Sequence, residues 1–168
     1  EAHLLIQAMR LVLERVQPDV MLVSETNVPH KENVTYFGNG YNEAKMVYNF
    51  TLPPLLAFSL LDESSEKFSQ WVGSLELPSD EVCFFNFTAS HDGVGLRPVQ
   101  GILDADEIKV LTDSVTANQG FISYKSNPDG TESPYELNCN YKSLLKGVDG
   151  QFGLERFILS QAVMMSMP

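Results

Sequence analysis

The stretch Cys83-Phe84-Phe85-Asn86-Phe87-Thr88-Ala89-Ser90-His91-Asp92-Gly93 constrains the fold more than any other. Its first half has the aromatic and β-branched composition of a strand packed on both faces. It then turns abruptly polar at Ser90, His91 and Asp92, and glycines follow at Gly93 and Gly95. A buried strand that ends this way carries polar chemistry at its carboxyl end, where α/β barrels and open α/β sheets hold their sites. A second stretch has the same form: the apolar run Asp19 to Ser24 ends in Glu25-Thr26-Asn27-Val28-Pro29-His30. If the two strands are neighbours, Glu25 and the His91-Asp92 pair share one rim.

The rest of the chain alternates around these strands. Leu4, Leu5, Ala8, Leu11, Val12 and Val16 recur at helical spacing, predicting a helix over His3 to Val16 that ends before Pro18. Ala44 to Phe50 reads as a strand, and Pro53 and Pro54 open a helix to Leu61. Ser64 or Ser65 caps a further helix containing Phe68, Trp71 and Val72. Beyond the central strand come a loop to Gly101 and a helix from Asp104 to Asn118, with Asp104 and Glu107 spaced as a capping box. A short strand at Phe121 to Tyr124 leads to the turn Asn127-Pro128-Asp129-Gly130. Pro134 to Asn140 reads as irregular, and helices follow at Tyr141 to Leu145 and Glu155 to Met167. Strands alternating with helices predict a parallel sheet. The strong strands are too few for a closed barrel. The fold class is α/β: an arc of a (β/α) barrel, one domain over residues 1–168 with an excursion at about 94–150.

Composition narrows the partners. With 11 basic and 22 acidic residues the net charge is -11, which argues against nucleic acid and for a neutral or small ligand. Cys83 and Cys139 make neither a CxxC pair nor a disulfide framework, so a reducing, cytoplasmic setting fits. The apolar runs Leu52 to Leu61 and Phe157 to Met167 are too short to span a bilayer, so no membrane partner is expected. His3, His30 and His91 show no metal-ligand spacing, and no metal or cofactor is expected. The sequence begins inside a helical pattern and stops at Pro168 after an apolar helix, so it reads as a segment of a longer polypeptide.

Glu25, at the end of an apolar strand, would be partly desolvated, the setting of a general acid. It could equally be a solvated loop residue beside a cation. Ser90, His91 and Asp92 cannot form a triad among themselves, because adjacent residues on an extended chain point to opposite faces. His91 and Asp92 could instead grip sugar hydroxyls. The plainer alternative is a His bonded to a carbonyl and an Asp capping a turn.

Four segments carry a resemblance: Glu25 to Asn33, Met46 to Pro54, Phe85 to Gly93 and Pro134 to Asn138. They resemble the α-amylase superfamily (glycoside hydrolase family thirteen), and within it the branch of the sucrose and glucosylglycerate phosphorylases. The resemblance implies a (β/α)8 TIM barrel, covered here roughly from the helix after strand four to the helix before strand eight. It implies that Glu25 is the general acid/base and that His91 and Asp92 hold the sugar and its transition state. No Asp of this chain matches the nucleophile of the fourth strand, so the segment alone is expected to be inactive. The implied reaction transfers glucose from sucrose or a related α-glucoside to inorganic phosphate, giving glucose 1-phosphate. Phosphate and acceptor contacts fall to Arg97, Lys125, Tyr135, Glu136 and Asn138. A hydrolase or transglucosidase of the same superfamily, or a non-catalytic carbohydrate-binding remnant, are the alternatives.

Overall fold

The computed structural model describes residues 1–168. Helix α1 (Ala2–Val16) leads to strand β1 (Val23–Ser24), then to the short helix α2 (His30–Asn33), which runs on as a 3-10 turn over Val34–Phe37. Strand β2 (Met46–Tyr48) is followed by helices α3 (Leu52–Leu61) and α4 (Glu66–Gly73), and then by strand β3 (Cys83–Phe85). The second half comprises β4 (Val94–Gly95), a 3-10 turn (Arg97–Val99), α5 (Ala105–Ala117), β5 (Phe121–Ser126), β6 (Glu132–Asn138), α6 (Tyr141–Leu144) and α7 (Gly153–Ser166).

The first three strands form a parallel sheet in the order β1-β2-β3. β2 therefore lies between the two chemistry-bearing strands, which are not direct neighbours as the sequence suggested. Ser24, Val47 and Phe84 are in register and share one face. Val47 and Phe84 pack there with Phe37, Ala44 and Val82. On the opposite face Tyr48 pairs with Phe85 across the strands, their ring centroids 4.7 Å apart, and Phe50 and Phe87 join them. This face is only partly covered: Phe50 and Phe87 are buried, whereas Phe85 is 41% exposed. The central strand is thus packed on one side, not two. A sheet of three strands encloses nothing on its inner face.

Helix α3 anchors the second core. It is apolar all round, so it is stable only when covered all round. Residues Leu52 to Ser59 are all buried. Leu111 and Val115 of α5, Leu137 of β6, and Tyr141, Leu144 and Leu145 around α6 close over it. Tyr141 Oη donates to the Pro53 carbonyl at 2.8 Å, which ties α6 to the first turn of α3. Burial pushes the Tyr141 phenol well up. The capping box is present: Asp104 Oδ1 accepts from the Glu107 amide at 3.0 Å, and Glu107 Oε2 from the Asp104 amide at 2.8 Å. Ser65 precedes α4 but makes no side-chain cap bond.

Two further expectations change. Pro134 to Asn138 is strand, not irregular chain, because β6 pairs antiparallel with both β4 and β5. A bulge absorbs the proline: Ser123 faces Glu136 and Tyr124 faces Pro134, leaving Tyr135 without an opposite residue on β5. The apolar stripe of α1 is exposed, with Leu4 at 71% and Val16 at 75%. What holds α1 is polar. The Glu43 carboxylate, nearly fully buried, accepts from His3 Nδ1 at 2.7 Å and Gln7 Nε2 at 2.8 Å. Arg10 donates to the Glu43 carbonyl at 3.1 Å.

Candidate active site

Strand alternation aims the first group. Val23 and Ser24 point to opposite faces, so Glu25, the next residue, falls on the inner face with Tyr48 and Phe85. The loop behind it is clamped. Asn33, buried in α2, accepts from Thr26 Oγ1 at 3.0 Å and donates to the Tyr48 carbonyl at 2.8 Å. That ties the residue after Glu25 to the neighbouring strand. Asn49 Nδ2 donates to Asn86 Oδ1 at 2.8 Å, which joins the exits of β2 and β3 in the same way.

The exit of β3 brings the other two groups to this rim. His91 Nε2 lies 3.9 Å from Glu25 Oε1 and 3.6 Å from Asp92 Oδ2. One ligand atom from each of the three lies within 4.8 Å of the others, an arrangement that could also hold a divalent cation. All three are exposed, Glu25 with 41% and His91 with 74% of the side chain accessible. The desolvation anticipated for Glu25 is therefore not supplied by these residues. Asp92 is turned by its own loop, its amide donating to Ser90 Oγ at 3.2 Å.

Glycines allow the close approach of β6 and Asn27. A Cβ on Gly93 would lie 2.7 Å from Glu136 Cγ and from the Leu137 carbonyl oxygen. A Cβ on Gly95 would lie 2.6 Å from Asn27 Nδ2. Glu136 is thereby held near the rim, and burial, with the Asp92 charge second, raises its pKa above the ordinary carboxylate value. Asn138 stands on the same segment, but its amide donates to Ser123 Oγ at 2.8 Å. Tyr135 sits at the bulge, its carbonyl accepting from the Leu96 amide at 2.9 Å. Arg97 is exposed in the 3-10 turn after β4. Lys125 pairs with Ser133, further toward the hairpin tip than the Ser123–Glu136 rung. Asn27 was missed by residue pattern. Its Oδ1 is buried without a partner, as is Ser24 Oγ on the strand before it. A buried amide oxygen without a partner is uncommon in a folded chain.

No family model matches the sequence. A solved structure of sucrose 6F-phosphate phosphorylase from Thermoanaerobacter thermosaccharolyticum superposes with a TM-score of 0.72 at 18% identity, over 89% of this chain and 28% of that one. The chain accordingly shares the α/β fold of part of that structure. Glucosylglycerate phosphorylases of Escherichia coli and of Allomeiothermus silvanus are each 41% identical to it, over 100% and 99% of this chain. Sucrose phosphorylase of Streptococcus mutans is 25% identical over 67% of it. The chain belongs to the glucosylglycerate and sucrose phosphorylase branch of the α-amylase superfamily. It spans 30% of the length of the two glucosylglycerate phosphorylases. No helix in it is long and apolar enough to cross a membrane.

Proposed function

We propose that this chain is the acid/base sector of a retaining α-glucosyl phosphorylase, and that its substrates are glucosylglycerate and inorganic phosphate. One observation carries the reading: a carboxyl from one strand exit and an imidazole from another stand 3.9 Å apart at a common rim. The preference for glucosylglycerate over sucrose follows the identities, 41% against 25%.

The chemistry needs two carboxyls. A carboxylate from the fourth barrel strand, outside residues 1–168, attacks the anomeric carbon. As that bond forms, the glycosidic C–O bond breaks and protonated Glu25 gives its proton to the leaving oxygen. Phosphate then attacks the same carbon from the vacated side, the bond to the enzyme carboxylate breaks and frees that group, and Glu25, now ionised, takes the phosphate proton. Two inversions return the α configuration as glucose 1-phosphate. Retention requires the two carboxyls about 5 Å apart, which closure of the barrel beside β1 would set. His91 and Asp92 bind ring hydroxyls as positive charge develops at the ring. Glu136, Asn138 and Tyr135 on β6 and Arg97 after β4 form the acceptor side of the pocket, with Lys125 at its margin.

The test is an assay of the protein at its full natural length with glucosylglycerate and with sucrose, each with and without phosphate. Glucose 1-phosphate should form only with phosphate. Glu25→Gln should lose roughly 10²–10⁴ in rate while melting normally, because an amide cannot give the proton. Free glucose released without phosphate would make the protein a hydrolase. No consumption of any glucoside would leave only a carbohydrate-binding role.

A further inference from the structure

A second cavity, of about 450 Å³, lies apart from the rim. Its walls come from three places: Pro29, His30 and Lys31 after β1, one face of α4, and the Gln100–Ile102 segment. None of Glu25, His91 or Asp92 lines it. From α4 come Lys67, Gln70 and Trp71, and Ser74 follows at its C-cap. They follow the i, i+3, i+4, i+7 spacing of a single helix face. Such a face usually buries apolar side chains, whereas here three of its four members are polar and look into a void.

The charge of the wall is opposite to that of the molecule. The chain carries -11 overall, yet the cavity is lined by two lysines and no carboxylate. Lys31 makes no ion pair. Lys67 is held in place by the Ile102 carbonyl at 3.0 Å and by Glu107. The aromatic members are fixed too. His30 Nδ1 is 3.2 Å from Thr51 Oγ1, and its ring meets Trp71 edge-on at 5.7 Å and stacks on Phe84 at 6.3 Å. Burial lowers the His30 pKa, so the ring is neutral at pH 7. Trp71 is 4% exposed and its indole N–H has no acceptor. The free groups of this wall are donors, the Lys31 ammonium and the Trp71 indole N–H, whereas the Gln70 amide donates to Glu66 Oε1 at 3.3 Å. Their complement is an acceptor-rich anion, and the void is within the range that small-molecule sites occupy.

We propose that this cavity is a second ligand site, taking a small hydroxylated anion, a sugar phosphate or a sugar acid. Lys31 and Lys67 meet the anionic group, and the hydroxyls lie over His30 and Trp71. The inference does not depend on the reaction assigned to the rim.

The test is calorimetric titration of the full-length protein with glucose 6-phosphate and with gluconate, using glucose and inorganic phosphate as controls. At least one hydroxylated anion should bind saturably, and bind more tightly than either control. Lys31→Glu, a reversal at an exposed position, should weaken it at least about tenfold with no change in melting temperature, a loss of about 1.4 kcal/mol. Trp71→Phe, which keeps the aromatic wall and removes the N–H, should weaken it less. Asp92→Asn should leave it unchanged. Failure of both anions to bind at about 10 mM, an affinity below 3 kcal/mol, would overturn the proposal. So would binding that Lys31→Glu leaves intact, or binding that Asp92→Asn abolishes, which would put the ligand at the rim. Glucose binding as tightly as either anion would also overturn it, as would phosphate binding as tightly as the sugar phosphate.

Discussion

Replacing Asn33 by alanine isolates the clamp behind Glu25. The side chain is 1% exposed and makes two hydrogen bonds, to Thr26 Oγ1 at 3.0 Å and to the Tyr48 carbonyl at 2.8 Å. Each bond is worth about 1 kcal/mol net, and a buried partner left unpaired costs about 1–3 kcal/mol. The Thr26 hydroxyl is half-buried and can turn to water, and the Tyr48 carbonyl keeps the Phe50 amide at 3.0 Å, so neither partner is left wholly unpaired. The two lost bonds together are worth about 2 kcal/mol. For a domain of this size that lowers Tm by about 4–8 °C. The rate should also fall, because Glu25 precedes Thr26 directly and a displacement of about 1 Å at a reacting group can cost about 10²-fold. Differential scanning fluorimetry and initial rates of the full-length protein measure both. Asn33→Asp is the control: it keeps an acceptor for Thr26 but sets a carboxylate against the Tyr48 carbonyl, so it should be no more stable than the alanine variant. A Tm within about 1 °C of wild type would refute the bond accounting. A lowered Tm with an unchanged rate would show that the clamp holds the sheet without aiming Glu25.

Four other perturbations follow from the same geometry. Gly95→Ala puts a methyl 2.6 Å from Asn27 Nδ2, so Asn27 must move at a cost of about 1–3 kcal/mol, read as a lowered Tm. His30 is kept neutral by burial, so the unfolded chain takes up its proton more readily than the folded one. Stability should be full above the ordinary histidine pKa of 6.5 and decline as pH falls below it, a decline that His30→Gln should flatten in urea titrations. Glu136 behaves oppositely: its raised pKa means that ionisation at neutral pH opposes folding. Glu136→Gln should therefore raise Tm at pH 7, with the gain shrinking as pH approaches 4. The 168-residue chain expressed by itself should self-associate through the exposed apolar faces of α1 (Leu4, Leu5, Val16) and α7 (Ile158, Met165), and a concentration-independent monomer in sedimentation would contradict this.

Local chemistry was legible in the sequence wherever short-range rules decide the outcome. Asp104 and Glu107 satisfy each other's backbone donors within one turn, and Asn127 to Gly130 closes a hairpin through the Asn127 amide and the Thr131 carbonyl at 2.8 Å. The apolar helix α3 announced its own burial. What the pattern misjudged depends on partners distant in sequence. Pro134 looks like a strand breaker until β4 and β5 flank its strand and a bulge at Tyr135 absorbs it. The apolar stripe of α1 looks like its packing face, yet the buried acceptor that orders the helix is Glu43, 40 residues from His3. At the rim, the strand exits were readable because polar residues after a buried run have few other places to go. Asn27 was not, because its significance lies in an unpartnered Oδ1 pressed against Gly95, a contact between β-exits 68 positions apart (95 less 27). The same reasoning explains the exposure of Glu25, His91 and Asp92. Three parallel strands can bring acid, imidazole and carboxylate to one edge, but they cannot exclude water from it. The electrostatic strength of that cluster, at an effective dielectric of about 20 rather than 80, depends on whatever closes over Tyr48 and Phe85.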